Sequence, residues 1–290
     1  MKASLVVHHV TASIEDNLGL ILSSIDQASR RGSDLVMFSE TAITGLINDD
    51  VPKHDVRLGT ALPGAQVDLV CQHAKANNIN AALGIFEVDD NRLFDTALFI
   101  DRDGHIGLKY RRISAGWHHP RADSTFYGHG SVVEAYRSDI GKVCFLICGD
   151  LFDDQLVERV QRQKPDLLLV PFARAFAGGG HSQERWEREE LAEYLSRVQR
   201  AGVRTLLTNY LDDEYFGGAF HVAQNGRLVD SLPLGRDGML TVALPICRQL
   251  PYIAMFEALE KTPKPAPIAS FKVPKFWRAR QDSNLRPLDS

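Results

Sequence analysis

Cys148 is the residue whose type and position first suggest covalent chemistry. It follows the apolar run Val143–Ile147 and precedes Gly149, Asp150 and a segment with a helical pattern. A thiol at a strand-to-helix turn lies where backbone amides and the positive end of a helix dipole favour the thiolate, which is the nucleophilic form. The position predicts a cysteine nucleophile, with an inert core thiol as the alternative for any single cysteine.

Glu40 is a candidate general base. It follows the apolar run Leu35–Ser39 and precedes Thr41–Gly45. A carboxylate at a strand end beside an apolar wall can have its pKa raised by desolvation until it works as a base near neutrality. A solvated or capping carboxylate is the alternative, and the local pattern leaves both open.

The elements that must position these two residues are short strands and amphipathic helices. Nine apolar or β-branched runs predict strands: Leu5–Val10, Leu35–Ser39, Ala81–Val88, Thr96–Asp101, Val143–Cys148, Leu167–Pro171, Thr205–Asn209, Ala219–Ala223 and Thr241–Leu244. Apolar spacing of three and four predicts helices from Ile14 to Ala28 with Ser13 as N-cap, and over Val67–Ala76, Asp153–Gln163 and Ser182–Ala201.

The order of these elements indicates the fold class. Helices and strands alternate at first, but the strands Ala81–Val88 and Thr96–Asp101 follow each other through a turn. A purely parallel sheet fits this order poorly. We predict an α/β fold with mixed sheets covered by helices, and two stacked sheets would give four layers.

Length and composition predict one domain with a tail. The chain has 290 residues, of which 44% are hydrophobic, enough for one large core. We place the domain at residues 1–261. Residues 262–290 contain six Lys or Arg against two Asp, so this segment carries +4 and the rest –8. The segment is rich in proline and has no sustained period, which predicts a basic, disordered tail.

Charge and cysteine usage exclude several classes. A net charge of –4 offers no general basic surface for nucleic acid. The four cysteines have neither disulfide-framework nor zinc-module spacing, which favours a reducing, cytoplasmic location. No apolar stretch approaches the roughly 20 residues that span a bilayer. We therefore expect neither nucleic-acid nor membrane partners.

Histidine and glycine patterns predict no metal and no cofactor. His8 and His9 are neighbours on a strand and so face opposite ways, while His118 and His119 lie in a loop without a matching ligand pair. The run Gly178–Gly180 lacks the Lys-Ser or Lys-Thr pair of a phosphate loop.

Five stretches of the chain form a series of motifs. They are Phe38-Ser39-Glu40 with Thr44-Gly45, Leu62-Pro63-Gly64 through Gly84-Ile85-Phe86, Phe94-Asp95-Thr96-Ala97-Leu98 with Lys109-Tyr110-Arg111-Arg112, Ile147-Cys148-Gly149-Asp150, and Val170-Pro171 with Gly217-Gly218-Ala219-Phe220. In their order and spacing, more than in any one of them, they resemble the nitrilase, or carbon-nitrogen hydrolase, superfamily over roughly residues 3 to 245.

The resemblance implies an αββα sandwich with a Glu-Lys-Cys triad that hydrolyses nonpeptide carbon-nitrogen bonds. Cys148 would form a covalent acyl-enzyme, Glu40 would transfer protons, and the amide of Gly149 would stabilise the oxyanion. It also implies a small amide or N-carbamoyl substrate, no cofactor, and a homodimer or higher homo-oligomer.

The sequence departs from the family pattern at the lysine. The family spacing leads to Arg112, and Lys109 lies three positions earlier, so in extended chain it points to the opposite face. An arginine supplies positive charge and hydrogen bonds but is bulkier and does not deprotonate near neutrality. For the second glutamate common in the family, the corresponding segment offers only Asp123, and Glu134 lies beyond it.

Arg174 is a candidate substrate-binding residue because it follows the strand Leu167–Pro171 by three positions. Its guanidinium could hold a substrate carboxylate through two hydrogen bonds, or it could pair with a nearby acid at the surface. The leading hypothesis is a thiol amidohydrolase. The alternatives are a catalytically impaired nitrilase-fold protein that binds a ligand or partner, and a generic α/β binding domain in which Glu40 and Cys148 never meet.

Overall fold

A computed structural model describes residues 1–245, which all fall within one compact unit. The predicted domain end at residue 261 and the predicted tail 262–290 lie outside these residues. Thirteen strands are described: β1 Lys2–Val7, β2 Leu35–Met37, β3 Asn80–Asp89, β4 Arg92–Ile100, β5 Ile106–Arg111, β6 Tyr127–Gly128, β7 Ala135–Ser138, β8 Gly141–Phe145, β9 Leu167–Pro171, β10 Thr205–Thr208, β11 Ala219–Val222, β12 Leu228–Leu232 and β13 Gly238–Ala243.

Six α-helices lie between these strands within the same residues. They are α1 Ile14–Arg30, α2 Pro52–Asp55, α3 Ala65–Ala76, α4 Asp154–Gln163, α5 Gln183–Glu189 and α6 Leu191–Ala201. The predicted cap of α1 is confirmed, because the Ser13 side chain accepts a hydrogen bond from the amide of Asp16 at 3.1 Å.

The strands form two mixed sheets. The first has the order β13-β1-β2-β3-β4-β5, with β6 beside β4, and the second has the order β12-β11-β10-β9-β8-β7. Strands β1, β2 and β3 are mutually parallel, as are β8, β9 and β10. Every other neighbouring pair in the two sheets is antiparallel, except that β6 runs parallel to β4. The prediction of mixed rather than parallel sheets is confirmed.

Side-chain alternation in the strands builds the layers. In β1, Leu5 and Val7 join the core between the two sheets, whereas Val6 joins the core under α1 and α3. The second sheet packs its other face on α4 and α6, which bury Val157 and Val198. The architecture is the predicted four-layer αββα sandwich.

The prediction of one continuous helix over Ser182–Ala201 is wrong. The segment is two helices, α5 and α6, separated at Glu190, whose φ of –124° lies outside the helical region. The Glu190 carboxylate turns away to form an ion pair with Arg174 at 2.8 Å. A contact between segments distant in the chain thus accompanies the break.

The nine predicted strands also omitted short ones. Strands β5, β6, β7 and β12 were not among them, and β4 begins at Arg92 rather than at Thr96. These segments have weak apolar alternation, and their hydrogen bonds to neighbouring strands decide their conformation. Among residues 1–245, no helix is both long and apolar enough to cross a membrane.

Candidate active site

Glu40 lies on a tight turn that follows β2. The chain from Phe38 to Ala42 runs beside β3, with the amide of Phe38 bonded to Ala82 and that of Ala42 bonded to Gly84, both at 2.8 Å. Thr41 has a φ of +44°, which is unusual for a β-branched residue. The left-handed residue ends the extended chain directly after Glu40, whose side chain is closed from solvent.

Gly84 makes this turn possible. A Cβ at position 84 would lie 2.6 Å from both the Cα of Glu40 and the amide nitrogen of Thr41. Both of these atoms belong to the backbone, so no side-chain rotation could relieve the clash. The glycine lets β3 pack directly against the turn that carries the candidate base.

Arg112 follows β5 and points into the same buried space. Its Nη1 donates to Oε1 of Glu40 at 2.8 Å, and only 4% of its side chain is exposed. Its Nε donates to Ser114 Oγ at 3.2 Å and its Nη2 to the Ala115 carbonyl at 3.3 Å. Burial disfavours the charged guanidinium, but the negative charge of Glu40 raises the pKa of Arg112 above its ordinary value.

Lys109 lies on the opposite face, as the odd spacing predicted. Its Nζ is 2.7 Å from Glu87 Oε1, and Arg111 also pairs with Glu87. Glu87 is itself buried and pairs with both cations of this face. The cation beside Glu40 is therefore an arginine.

Cys148 stands at the end of the extended segment after β8. Its φ of +45° is left-handed, which marks a sharp turn at the candidate nucleophile. Its Sγ lies 3.6 Å from the Ala173 carbonyl. A Cβ on the next residue, Gly149, would lie 2.7 Å from Nη2 of Arg112, so the cysteine turn packs against the guanidinium.

The prediction that the end of a helix stabilises the Cys148 thiolate is wrong. The segment after Cys148 is a 3-10 helix, Cys148–Phe152, and α4 begins only at Asp154. Burial and then the charge of Glu40 raise the pKa of the Cys148 thiol to about 12, although Arg112 lowers it. The resting thiol is protonated at neutral pH and needs a base to become a nucleophile.

Asp150 connects the cysteine turn to the arginine segment. Its Oδ1 accepts hydrogen bonds from the amides of Ile113 at 3.2 Å and Ser114 at 2.6 Å. Its Oδ2 accepts from the Tyr110 hydroxyl at 2.7 Å and from the Ile147 amide at 3.1 Å. These four donors balance a fully buried charge and hold the second sheet to the first.

Asp95 is the site residue that the sequence reasoning missed. It lies in β4 with its carboxyl closed from solvent, and its Oδ2 is 3.5 Å from Nη1 of Arg112. The position expected for a second carboxyl, Asp123, is exposed and bonds to Thr125 at 2.6 Å instead. A charged residue inside the apolar stretch Phe94–Leu98 was the signal that could have identified Asp95.

Arg174 is engaged with an acid at the surface. Its Nε and Nη2 each lie 2.8 Å from an oxygen of Glu190, and 47% of its side chain is exposed. This is the alternative that the sequence reasoning left open for Arg174. A substrate carboxylate would have to replace Glu190, so the binding role remains a prediction.

One group among the described residues has metal-ligating atoms within reach of each other, Asp49, His54 and Asp55. Asp55 is buried and already accepts hydrogen bonds from the amide of Asp49 at 3.0 Å and from the Tyr127 hydroxyl at 2.6 Å. These contacts fit a carboxylate that closes a loop. They provide no argument for a metal.

The chain belongs to the carbon-nitrogen hydrolase family, whose model matches residues 2–252. It is therefore a member of the nitrilase superfamily, as the motifs suggested. A protein called Nitrilase 2, from an unknown prokaryotic organism, is 29% identical over 152 residues, which are 47% of this chain and 46% of that protein. Nitrilase 2 from Arabidopsis thaliana is 26% identical over 51% of this chain and 46% of its own length. The chain spans about half the length of these curated relatives.

Solved structures share the fold. A carbon-nitrogen hydrolase from Helicobacter pylori G27 superposes with a TM-score of 0.74 at 16% identity, covering 83% of this chain and 88% of that one. A mutant of the amidase from Nesterenkonia sp. AN1 superposes with a TM-score of 0.71 at 20% identity, covering 84% and 93%. At these identities the likeness supports the sandwich architecture alone.

Proposed function

We propose that this protein is a thiol amidohydrolase that cleaves a nonpeptide carbon-nitrogen bond of a small amide or N-carbamoyl compound. The observation that carries the proposal is the convergence on one buried guanidinium: Arg112 contacts Glu40 at 2.8 Å and packs against the Cys148–Gly149 turn. A base, a cation and a thiol are the groups that acyl transfer requires. A glutamate-to-glutamine mutant of the amidase from Nesterenkonia sp. AN1, in which acrylamide has added to the active-site cysteine, is a precedent for a reactive cysteine on the same fold.

The first half of the reaction forms an acyl-enzyme. Glu40 accepts the Cys148 proton while the sulfur attacks the carbonyl carbon of the substrate. The resulting oxyanion accepts hydrogen bonds from the Gly149 amide and from Arg112. The carbon-nitrogen bond then breaks, and Glu40 gives its proton to the departing nitrogen, so that ammonia leaves.

The second half regenerates the thiol. Glu40 takes a proton from water, and the hydroxide attacks the thioester carbon. The carbon-sulfur bond breaks, the carboxylic or carbamic acid leaves, and the proton on Glu40 returns to the sulfur. Because the resting thiol has a pKa of about 12, its deprotonation needs a base, and Glu40 takes this role.

A second candidate function has an observation in its favour. Three of the five N–H donors of Arg112 already bond to Glu40, Ser114 and Ala115. Two remain for an oxyanion, and their direction is restricted by the planar fork. A nitrilase-fold protein that binds a ligand without turnover is therefore the alternative.

Ammonia release tests the proposal. The panel contains small aliphatic amides, ω-amides of dicarboxylic acids and N-carbamoyl amino acids, and the comparison is between the wild type and Cys148→Ala. We expect release that disappears in the variant. A fully active Cys148→Ala protein would exclude the thiol mechanism, and no release from either protein would favour the binding function.

A covalent probe tests the nucleophile separately. A glutamate-to-glutamine mutant of the amidase from Nesterenkonia sp. AN1 shows covalent addition of the acetamide moiety of fluoroacetamide at its active-site cysteine. We expect the same mass increase here on Cys148. Cys71 is also half-buried, so Cys71→Ser is the matched control and should keep the adduct. An adduct that persists in Cys148→Ala would contradict the assignment.

Two further expectations stay predictions. The amide of Gly149 as oxyanion donor and Arg174 as a substrate-carboxylate contact depend on a bound substrate. The homo-oligomer that the family resemblance implies is checked by sedimentation velocity.

A further inference from the structure

Asp95 is a buried carboxyl close to Glu40, the candidate base. The proposed reaction gives Asp95 no role. Asp95 lies within β4, and neither of its oxygens accepts a hydrogen bond from a protein donor. Oε2 of Glu40 is in the same situation, whereas Oε1 is bonded to Arg112. Three buried carboxyl oxygens in one space therefore have no donor, which is costly for a native structure.

The charges around Asp95 come from three segments. Glu40 faces it from the turn after β2, Arg112 from the end of β5, and Asp150 and Cys148 from the 3-10 helix after β8. The carboxylate of Asp150 already accepts four hydrogen bonds, and Cys148 is a neutral thiol in the resting state. Two carboxyls, Glu40 and Asp95, are left to share the single positive charge of Arg112.

A proton shared between these two carboxyls removes one negative charge and provides a hydrogen bond from one carboxyl to the other. Arg112 is closer to Glu40, at 2.8 Å, than to Asp95, at 3.5 Å, so Glu40 is the one that pairs as a carboxylate. Burial, followed by the negative charge of Glu40, raises the pKa of Asp95 well above its ordinary value.

We propose that Asp95 is protonated at neutral pH and donates its O–H to Oε2 of Glu40, which makes Asp95 a positioning residue for the base. Glu40 is then held through both oxygens, by Arg112 at Oε1 and by Asp95 at Oε2. The inference rests on the proposed function only for the role of Glu40 as base.

A neutral Asp95 also keeps Arg112 available during the reaction. When Glu40 takes the thiol proton, it loses the negative charge that paired with Arg112. An ionised Asp95 would then attract the guanidinium, but a protonated one does not compete with the oxyanion of the substrate. The proton on Asp95 directs the positive charge toward the reacting carbon.

Infrared difference spectroscopy tests the protonation without requiring turnover. We expect the carbonyl stretch of a protonated carboxyl in the wild type at neutral pH and its loss in Asp95→Asn. Glu87→Gln is the matched control, because Glu87 is also a buried carboxyl. Burial raises its pKa, but hydrogen bonds from Arg111 and Lys109 lower that pKa further, so the group is a carboxylate. The Glu87→Gln protein should therefore show the same band as the wild type. A wild type without the band, or a band that persists in Asp95→Asn, overturns the proposal even if the protein hydrolyses amides.

Kinetics on an amide from the panel test the positioning role. Asp95→Leu keeps the branched shape without a donor, and we expect kcat/KM to fall about 10- to 100-fold, as the loss of a hydrogen bond to a charged group predicts. Asp95→Asn should recover part of this loss, because its amide can donate to Glu40, and it should move the alkaline limb of the pH profile. Three proteins with the same kcat/KM and the same pH profile would exclude the role. If the infrared band is present and no amide is hydrolysed, the proposed function fails and the proton on Asp95 stands.

Discussion

Nη1 of Arg112 and Oε1 of Glu40 lie 2.8 Å apart, although 72 residues separate them in the chain and both side chains are closed from solvent. Both come from the first sheet, whereas Cys148 comes from the second. The candidate site therefore forms where the two sheets meet, and Asp150 joins the two sides there.

Arg112→Lys distinguishes an arginine-adapted enzyme from a protein that has lost catalysis. A lysine loses the contacts of the fork with Ser114 and Ala115 and offers a single ammonium group, so we expect kcat/KM to fall by about 10- to 100-fold. The measurement is ammonia release from the amide that the panel identifies. Lys109→Arg changes a cation that pairs with Glu87 on the other face and should leave activity unchanged. An inert parent that gains activity with lysine at position 112 would support loss of catalysis.

Gly84→Ala should displace the turn that carries Glu40. The added Cβ would meet backbone atoms at 2.6 Å, so the turn must move, which costs about 1–3 kcal/mol in unfolding free energy and reduces activity. Urea unfolding and ammonia release measure the two effects. Gly19→Ala is the control, because a Cβ there meets nothing within 4 Å, and in the middle of α1 it should stabilise by about 0.5–1 kcal/mol. The same unfolding free energy and the same ammonia release in Gly84→Ala and Gly19→Ala would contradict the role of Gly84.

Asp150→Asn should loosen the connection between the Cys148 turn and the Arg112 segment. An amide nitrogen cannot accept the hydrogen bonds of one carboxylate oxygen, and we expect a loss of about 2–3 kcal/mol in unfolding free energy, measured with urea. Tyr110→Phe removes only one of the four donors to Asp150 and should cost about 1 kcal/mol. A larger loss in Tyr110→Phe than in Asp150→Asn would refute this ranking.

His8 makes stability depend on pH. Its Nε2 lies 2.9 Å from the Ala42 carbonyl in the turn after Glu40, and burial lowers the pKa of His8 from 6.5 to about 4. Between these values the unfolded chain binds the proton and the folded chain does not, so stability falls as pH decreases from 6.5 to about 4, by up to about 3 kcal/mol. Urea unfolding at pH 7 and pH 4.5 measures the loss.

Two variants isolate this effect. His8→Gln removes the titration and should show a smaller loss at acid pH than the wild type. The exposed neighbour His9 is the control, and His9→Gln should behave as the wild type does. An acid loss in His8→Gln as large as that of the wild type would assign the effect to other groups.

The sequence by itself determined the features that depend on local pattern. The apolar runs before Glu40 and Cys148 placed both residues at strand ends, and the spacing of Ile21, Ile25 and Ala28 gave the buried face of α1. The odd spacing between Lys109 and Arg112 assigned them to opposite faces, because side chains alternate in extended chain. Each of these rests on residues within one element.

Only the tertiary structure decided the features that depend on distant neighbours. The pairing of Arg174 with Glu190 and the pairing of the short strand β6 with β4 depend on partners in other segments of the chain. The burial that raises the pKa of the Cys148 thiol and the approach of Asp95 to Arg112 also depend on distant segments, which no local pattern specifies. Desolvation and close charges act through space, so the electrostatics of the candidate site depend on how the two sheets pack together.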